Sequence, residues 1–135
     1  MSHSRETVTA NPGPPAAGPY SHAVKSGAHL FVSGQVHLDP DTGQLVDGTP
    51  AEKAKRCLDN LTIIAEAAGC KLENAVRVAV YVTDISVFAE MNEAYASYFP
   101  SDPPARTTIG VAALPMGAEV EMDAIIALRA SPRAT

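Results

Sequence analysis

The chain has 135 residues, 46% of them hydrophobic and 19% charged, which are the proportions of one domain able to bury a core rather than of a disordered tail. Ten Lys and Arg against fifteen Asp and Glu leave a formal net charge of −5, against the dense basic face that nucleic-acid or anionic-membrane binding needs. No apolar run approaches the roughly 18 residues of a spanning helix, and the opening MSHSRETVTA lacks the apolar core of a secretory leader. The expectation is therefore a soluble, cytoplasmic protein.

A single domain is expected over residues 1–135, with 1–12 and 129–135 as extended or frayed ends. The Pro- and Gly-rich NPGPPAAGP at 11–19 should be extended. YSHAV and HLFVSGQV, separated by KSGA within residues 20–36, read as two strands around a glycine turn. DPDTGQLVDGT at 39–49 is loop by composition, with short pairing near Leu45 and Val46. Thr49-Pro50-Ala51-Glu52 is a capping box with proline at the first helical position. Ala54, Cys57, Leu58, Leu61, Ile64, Ala65 and Ala68 follow at helical spacing, and Gly69 marks the stop. AVRVAVYVT at 75–83 predicts a strand with Val76, Val78, Val80 and Val82 on one side. Asp84 can cap a second helix, in which Phe88, Met91, Tyr95 and Phe99 make a packing stripe that ends at Pro100. TTIGVAAL at 107–114 and EVEMDAIIAL at 119–128 read as two further strands, joined by LPMGA. This order predicts an α+β domain with both helices on one face of a single sheet. The other face, supplied with alanine, valine and glycine, suits a subunit interface better than water.

Cys57 and Cys70 lie roughly 18 Å apart if mostly helical rise separates them, too far for a disulfide, whose Cα atoms must come within about 7 Å. They are expected to be free, buried thiols. His3, His22, His29 and His37 show no paired spacing, and there is no Cys-x-x-Cys and no phosphate-binding glycine loop, so no metal and no nucleotide cofactor is expected.

Arg106 is the only basic residue between Arg77 and Arg129, a stretch that holds seven acidic ones. It follows Pro103-Pro104-Ala105, so the backbone that carries it is stiff. Two readings stand: a salt bridge to one of those carboxylates, or bidentate capture of a planar carboxylate ligand. Glu121 shares a predicted strand face with Glu119 and Asp123. That face is either solvated or, if buried against another subunit, holds a carboxylate free to pair with Arg106 or position a water. Ser33 and Gly34 offer backbone donors at a strand end, and Tyr20 and Asn92 add neutral hydrogen-bonding groups.

Taken in order, GPYSHAV at 18–24, VSGQV at 32–36, DPDTGQLV at 39–46, LDNLTIIAEAAG at 58–69, AVYVTD at 79–84, NEAYASYF at 92–99 and PPARTTIGVAALPMGAEVEMDAI at 103–125 resemble the RidA/YjgF family of enamine/imine deaminases. The resemblance implies a chorismate mutase-like α+β fold, a barrel-cored homotrimer, active sites between subunits and no cofactor. It implies hydrolysis of 2-imino and enamine acids, such as 2-aminoacrylate, 2-iminopropanoate or 2-iminobutanoate, to 2-keto acids and ammonia. Arg106 matches the family's carboxylate-binding arginine, Glu121 its water-positioning glutamate and Tyr20 its pocket tyrosine. Ser33, Gly34, Asn92 and Thr108 match other pocket positions. Thr108 stands where many members have cysteine, so a role needing a thiol is absent there, and His37 stands where many have proline. Alternatives within the resemblance are deamination of 2-aminomuconate and a non-catalytic ligand-binding trimer. The acidic balance disfavours RNA cleavage.

Overall fold

A computed structural model describes residues 4–128. Six strands, β1 (Arg5–Val8), β2 (Ala23–Ser26), β3 (His29–Val36), β4 (Ala75–Val82), β5 (Ala105–Gly110) and β6 (Val120–Ala127), form one mixed sheet in the order β1-β2-β3-β6-β4-β5. Only β4 and β5 pair in parallel; every other neighbouring pair is antiparallel. The helices are α1 (Pro50–Ala67), between β3 and β4, and α2 (Phe88–Ala96), between β4 and β5. From β3 through β4 to β5 the chain moves across the sheet in one direction. Right-handed crossovers then put both helices on the same face, so the predicted α+β sheet-and-helix architecture is the one observed.

The expected local signals operate as chemistry. Thr49 accepts a hydrogen bond from the Glu52 N–H while the Glu52 carboxylate accepts one from the Thr49 N–H, closing the capping box. Gly69 takes a φ of +79° directly after the cap of α1, a conformation costly for a side chain with a Cβ. Gly27, at +60°, makes the tight turn from β2 to β3. Leu38 and Leu45 form the short bridge expected in the 39–49 loop. Asp84 does cap, but its carboxylate accepts from Ser86 N–H on a 3-10 turn that leads into α2.

Three expectations need correction. The N-terminal extended segment contains an edge strand, β1, paired with β2; its four residues, RETV, alternate too briefly to announce it. The first strand of the hairpin begins at Ala23, leaving Tyr20 in the preceding loop. Val76 is 44% exposed because the register with β6 shifts between Ala75 and Arg77. This bulge turns one residue of the valine row away from the core. Residues 1–3 and the predicted frayed end 129–135 lie outside the described residues.

The core lies between the sheet and the helices. It is formed by Leu58, Leu61 and Ile64 of α1 against Leu30, Val78, Val82, Val120, Met122 and Ile126. Both cysteines are buried and free. Asn60, fully buried, donates to the carbonyls of Val36 and Leu38 and accepts from Arg56. It thereby ties α1 to the start of the 39–49 loop.

Candidate active site

Arg106 pairs with Val78 across the β4–β5 ladder, and Val78 is fully buried under the helices. Partners in a ladder share a face, so Arg106 points to the helix side of the sheet. Its guanidinium carbon sits 4.6 Å from the Tyr95 ring centroid and 5.1 Å from that of Phe88, both on α2. Among the described residues the acids form one ion pair, Lys53 with Glu119, and none of them meets Arg106. The salt-bridge reading of Arg106 is therefore set aside: its positive charge rests on aromatic faces and its N–H donors have no carboxylate. Thr108, two residues along β5 and half-buried, shares that face. Asn92 is half-buried on α2, four residues from Phe88 and three from Tyr95, hence on the same helical stripe.

Glu121 stands on the opposite side. It pairs with Tyr81 of β4 and Val36 of β3 and lies between buried Val120 and Met122, so alternation turns it to the face without helices. Of the three acids predicted to share a face, Glu121 and Asp123 do share it, two residues apart on β6, and Glu119 leaves it. Glu119 precedes β6 and is drawn to Lys53, while Asp123 accepts a hydrogen bond from the Tyr81 hydroxyl at 2.9 Å. Glu121 remains, half-buried, with its carboxyl held above the ordinary range by burial first and by the Asp123 charge second.

Glu121 borders a cavity of about 140 Å³ with Tyr20, Gly34, Gln35, Pro115 and Met116. Its carboxylate lies over Gly34: a Cβ placed there would come 2.5 Å from Glu121 Oε2. The Tyr20 hydroxyl accepts from the Ala17 N–H at 3.1 Å, holding the Pro-rich segment over the same cavity. Ser33 is occupied structurally. Its hydroxyl donates to the Ser21 carbonyl at 2.6 Å, and its N–H donates to the His22 carbonyl. One chain thus gathers Glu121, Tyr20 and Gly34 on one side and Arg106, Thr108 and Asn92 on the other. The two sets are divided by the sheet itself. Among the described residues no group of three or more His, Cys, Asp or Glu is placed to hold a metal ion.

His37, also buried, has both ring nitrogens engaged. Nδ1–H donates to the Val46 carbonyl at 2.9 Å, and Nε2 accepts from the Glu119 N–H at 3.0 Å. A carbonyl can only accept, which fixes the neutral tautomer. The ring therefore clips the 39–49 loop to the start of β6. Phe88 and Tyr95 were read from sequence as packing alone; their seven-residue spacing on a helix beside a lone arginine is the signal that pairs them with Arg106.

The family model described as Endoribonuclease L-PSP matches residues 11–128. The chain belongs to the RidA/YjgF family. Mouse 2-iminobutanoate/2-iminopropanoate deaminase is 46% identical over 121 residues, covering 90% of each chain. The RutC family protein y4sK of Sinorhizobium fredii is 46% identical over 123 residues, 91% of this chain and 98% of that one. The crystal structure of yeast YEO7 superposes with a TM-score of 0.90 at 41% identity, over 93% of this chain and all of that one. Resemblance to the RidA/YjgF family thus extends to the single mixed sheet with two helices on one face.

Proposed function

We propose that this protein hydrolyses small 2-imino acids and their enamine tautomers, of the 2-iminopropanoate and 2-iminobutanoate class, to 2-keto acids and ammonia. We further propose that it does so in a homotrimer whose sites lie between subunits. The observation that carries the reading is the division of the site. A guanidinium with no carboxylate partner among the described residues and a half-buried carboxyl with raised pKa lie on opposite faces of one sheet. A second copy, set against the face that lacks helices, is what brings the two sets together. That face carries Phe31 and Ile109, which are exposed in the single chain. Relatives of nearly half-identical sequence are named as deaminases of this class.

In this reading the Arg106 fork takes the substrate carboxylate as a bidentate pair. The protonated imine carbon is electrophilic. Glu121 accepts a proton from water as the oxygen bonds to that carbon. It then returns that proton to nitrogen, and as the C–N bond breaks and ammonia leaves, the new hydroxyl gives its remaining proton to the carboxylate and becomes the keto C=O. A carboxyl lifted by burial is a better acceptor than an ordinary one and a readier donor than a fully ionised one. Tyr20, Gly34, Asn92 and Thr108 line the two halves of the pocket. Because iminium groups hydrolyse readily in water, positioning supplies enough acceleration without a cofactor. The net charge of −5 supports a small metabolite rather than RNA as substrate, and a cytoplasmic setting fits the free thiols.

Purified protein should accelerate 2-keto acid release from an imine generated by an amino-acid oxidase or threonine dehydratase. Arg106→Ala should abolish that acceleration while the protein stays folded and keeps its oligomeric state. Full activity in Arg106→Ala would overturn the assignment.

A further inference from the structure

An arginine must be oriented to bind a planar carboxylate, and what orients it decides what it can bind. A protein carboxylate grips the guanidinium by its N–H edge, the same edge a ligand needs. An aromatic ring holds it by its face and leaves the in-plane donors open. Arg106 is held in the second way. Phe88 and Tyr95 are two helical turns apart on α2, about 10 Å of rise, and the guanidinium carbon reaches both rings, so it sits between them along the helix.

We propose that Phe88 and Tyr95 are positioning residues that orient Arg106 by their ring faces and keep its donor edge free for a ligand carboxylate. The inference rests on the reading of Arg106 as a carboxylate site and adds what makes that site specific for a planar anion. Two further observations point to the rings themselves. Tyr95 is only 7% exposed, and its hydroxyl has no hydrogen-bond partner among the described residues. A buried, unsatisfied hydroxyl costs stability, so the useful part of this side chain is its ring, braced by Phe99 at 4.9 Å between centroids. Phe88 is 37% exposed although it begins a helix whose other aromatic residue, Tyr95, is buried. Its exposed place beside a cation is what a rim residue of an anion site requires. The sequence between Arg77 and Arg129 offers Arg106 seven acidic side chains, yet the two rings hold it instead.

The test uses the full chain with 2-oxobutanoate as the probe, read by calorimetry, alongside steady-state turnover of the oxidase-generated imine. Phe88→Leu and Tyr95→Leu remove a ring; Phe88→Tyr and Tyr95→Phe keep one. Each leucine variant should raise the Kd for 2-oxobutanoate and the KM for the imine about tenfold, the scale of a partly desolvated cation–π contact, with kcat changing far less. The ring-keeping variants should recover most of that affinity. Phe88 is partly exposed, so Phe88→Leu keeps the test valid should Tyr95→Leu fail to fold. Wild-type affinity in Phe88→Leu, or no gain of affinity on restoring a ring, would overturn the proposal, as would absence of 2-oxobutanoate binding by the wild type. Ring-dependent binding without imine turnover would support the proposal while removing the deaminase reading.

Discussion

Replacing Gly34 by alanine tests the position of the Glu121 carboxylate without touching its chemistry. A Cβ at residue 34 would meet Glu121 Oε2 at 2.5 Å, Cδ at 3.0 Å and Cγ at 3.4 Å. Comfortable contacts between such atoms begin near 3.5 Å, so the carboxylate must retreat by about 1 Å. It can do so, because it is the far end of a flexible side chain bordering a cavity, and Gly34 has no left-handed φ that alanine would resist. The fold should therefore hold, with an unfolding midpoint within about 4 °C of wild type, the effect of roughly 1 kcal/mol in a domain of this size. Catalysis should not hold. A displacement of about 1 Å at a positioning group costs on the order of a hundredfold, and the loss should appear in kcat/KM for the oxidase-generated imine. Glu121→Gln sets the floor for comparison. A folded Gly34→Ala protein with undiminished kcat/KM would refute the claim that Glu121 acts from its place above Gly34.

Three more outcomes follow from the geometry. Burial lowers the His37 pKa below its ordinary 6.5. Stability tied to its neutral ring is therefore complete above about pH 6.5 and is lost as pH falls through the lower folded-state value. Thermal melts between about pH 7.5 and pH 5 should show wild type losing more midpoint than His37→Gln; equal losses would refute the clip. Burial also pushes the Cys57 thiol far above its usual range, and Cys70 is 5% exposed. A thiol reagent should thus titrate neither cysteine until the protein unfolds, and rapid labelling of the native chain would contradict this. Phe31→Asp on the face without helices should dissociate the proposed trimer in analytical ultracentrifugation, whereas an unchanged trimer sedimentation coefficient would move the interface elsewhere.

Local chemistry was legible in the sequence wherever a few neighbouring residues decide the outcome. The Thr49 capping box, the stop at Gly69 and the stripe of α1 are of this kind. The bulge that exposes Val76 was not, because it arises from the register of β4 against β6, a partner some fifty residues away. The same limit governed the site. Arg106 and Glu121 could be singled out by their isolation in charge and by resemblance. Their separation by the sheet depends on β4 lying between β5 and β6, which no local pattern encodes. The rings beside Arg106 were not legible for a related reason. Charge counting proposes a carboxylate, whereas packing of α2 on β5 supplies aromatic faces.

The place of β6 has a consequence for how the chain is made. It comes last among the described strands, yet it lies between β3 and β4 and bonds to both. Until it leaves the ribosome, the earlier strands form two separate pieces, each with an open edge. α1 bridges a gap that nothing yet fills. The sheet therefore closes only after residues 120–127 have been made, through contacts distant in sequence, which are the slow kind to form. During that wait the unpaired edges of β3 and β4 are sticky, and a chain stalled before residue 120 would be a substrate for chaperones rather than a smaller folded domain.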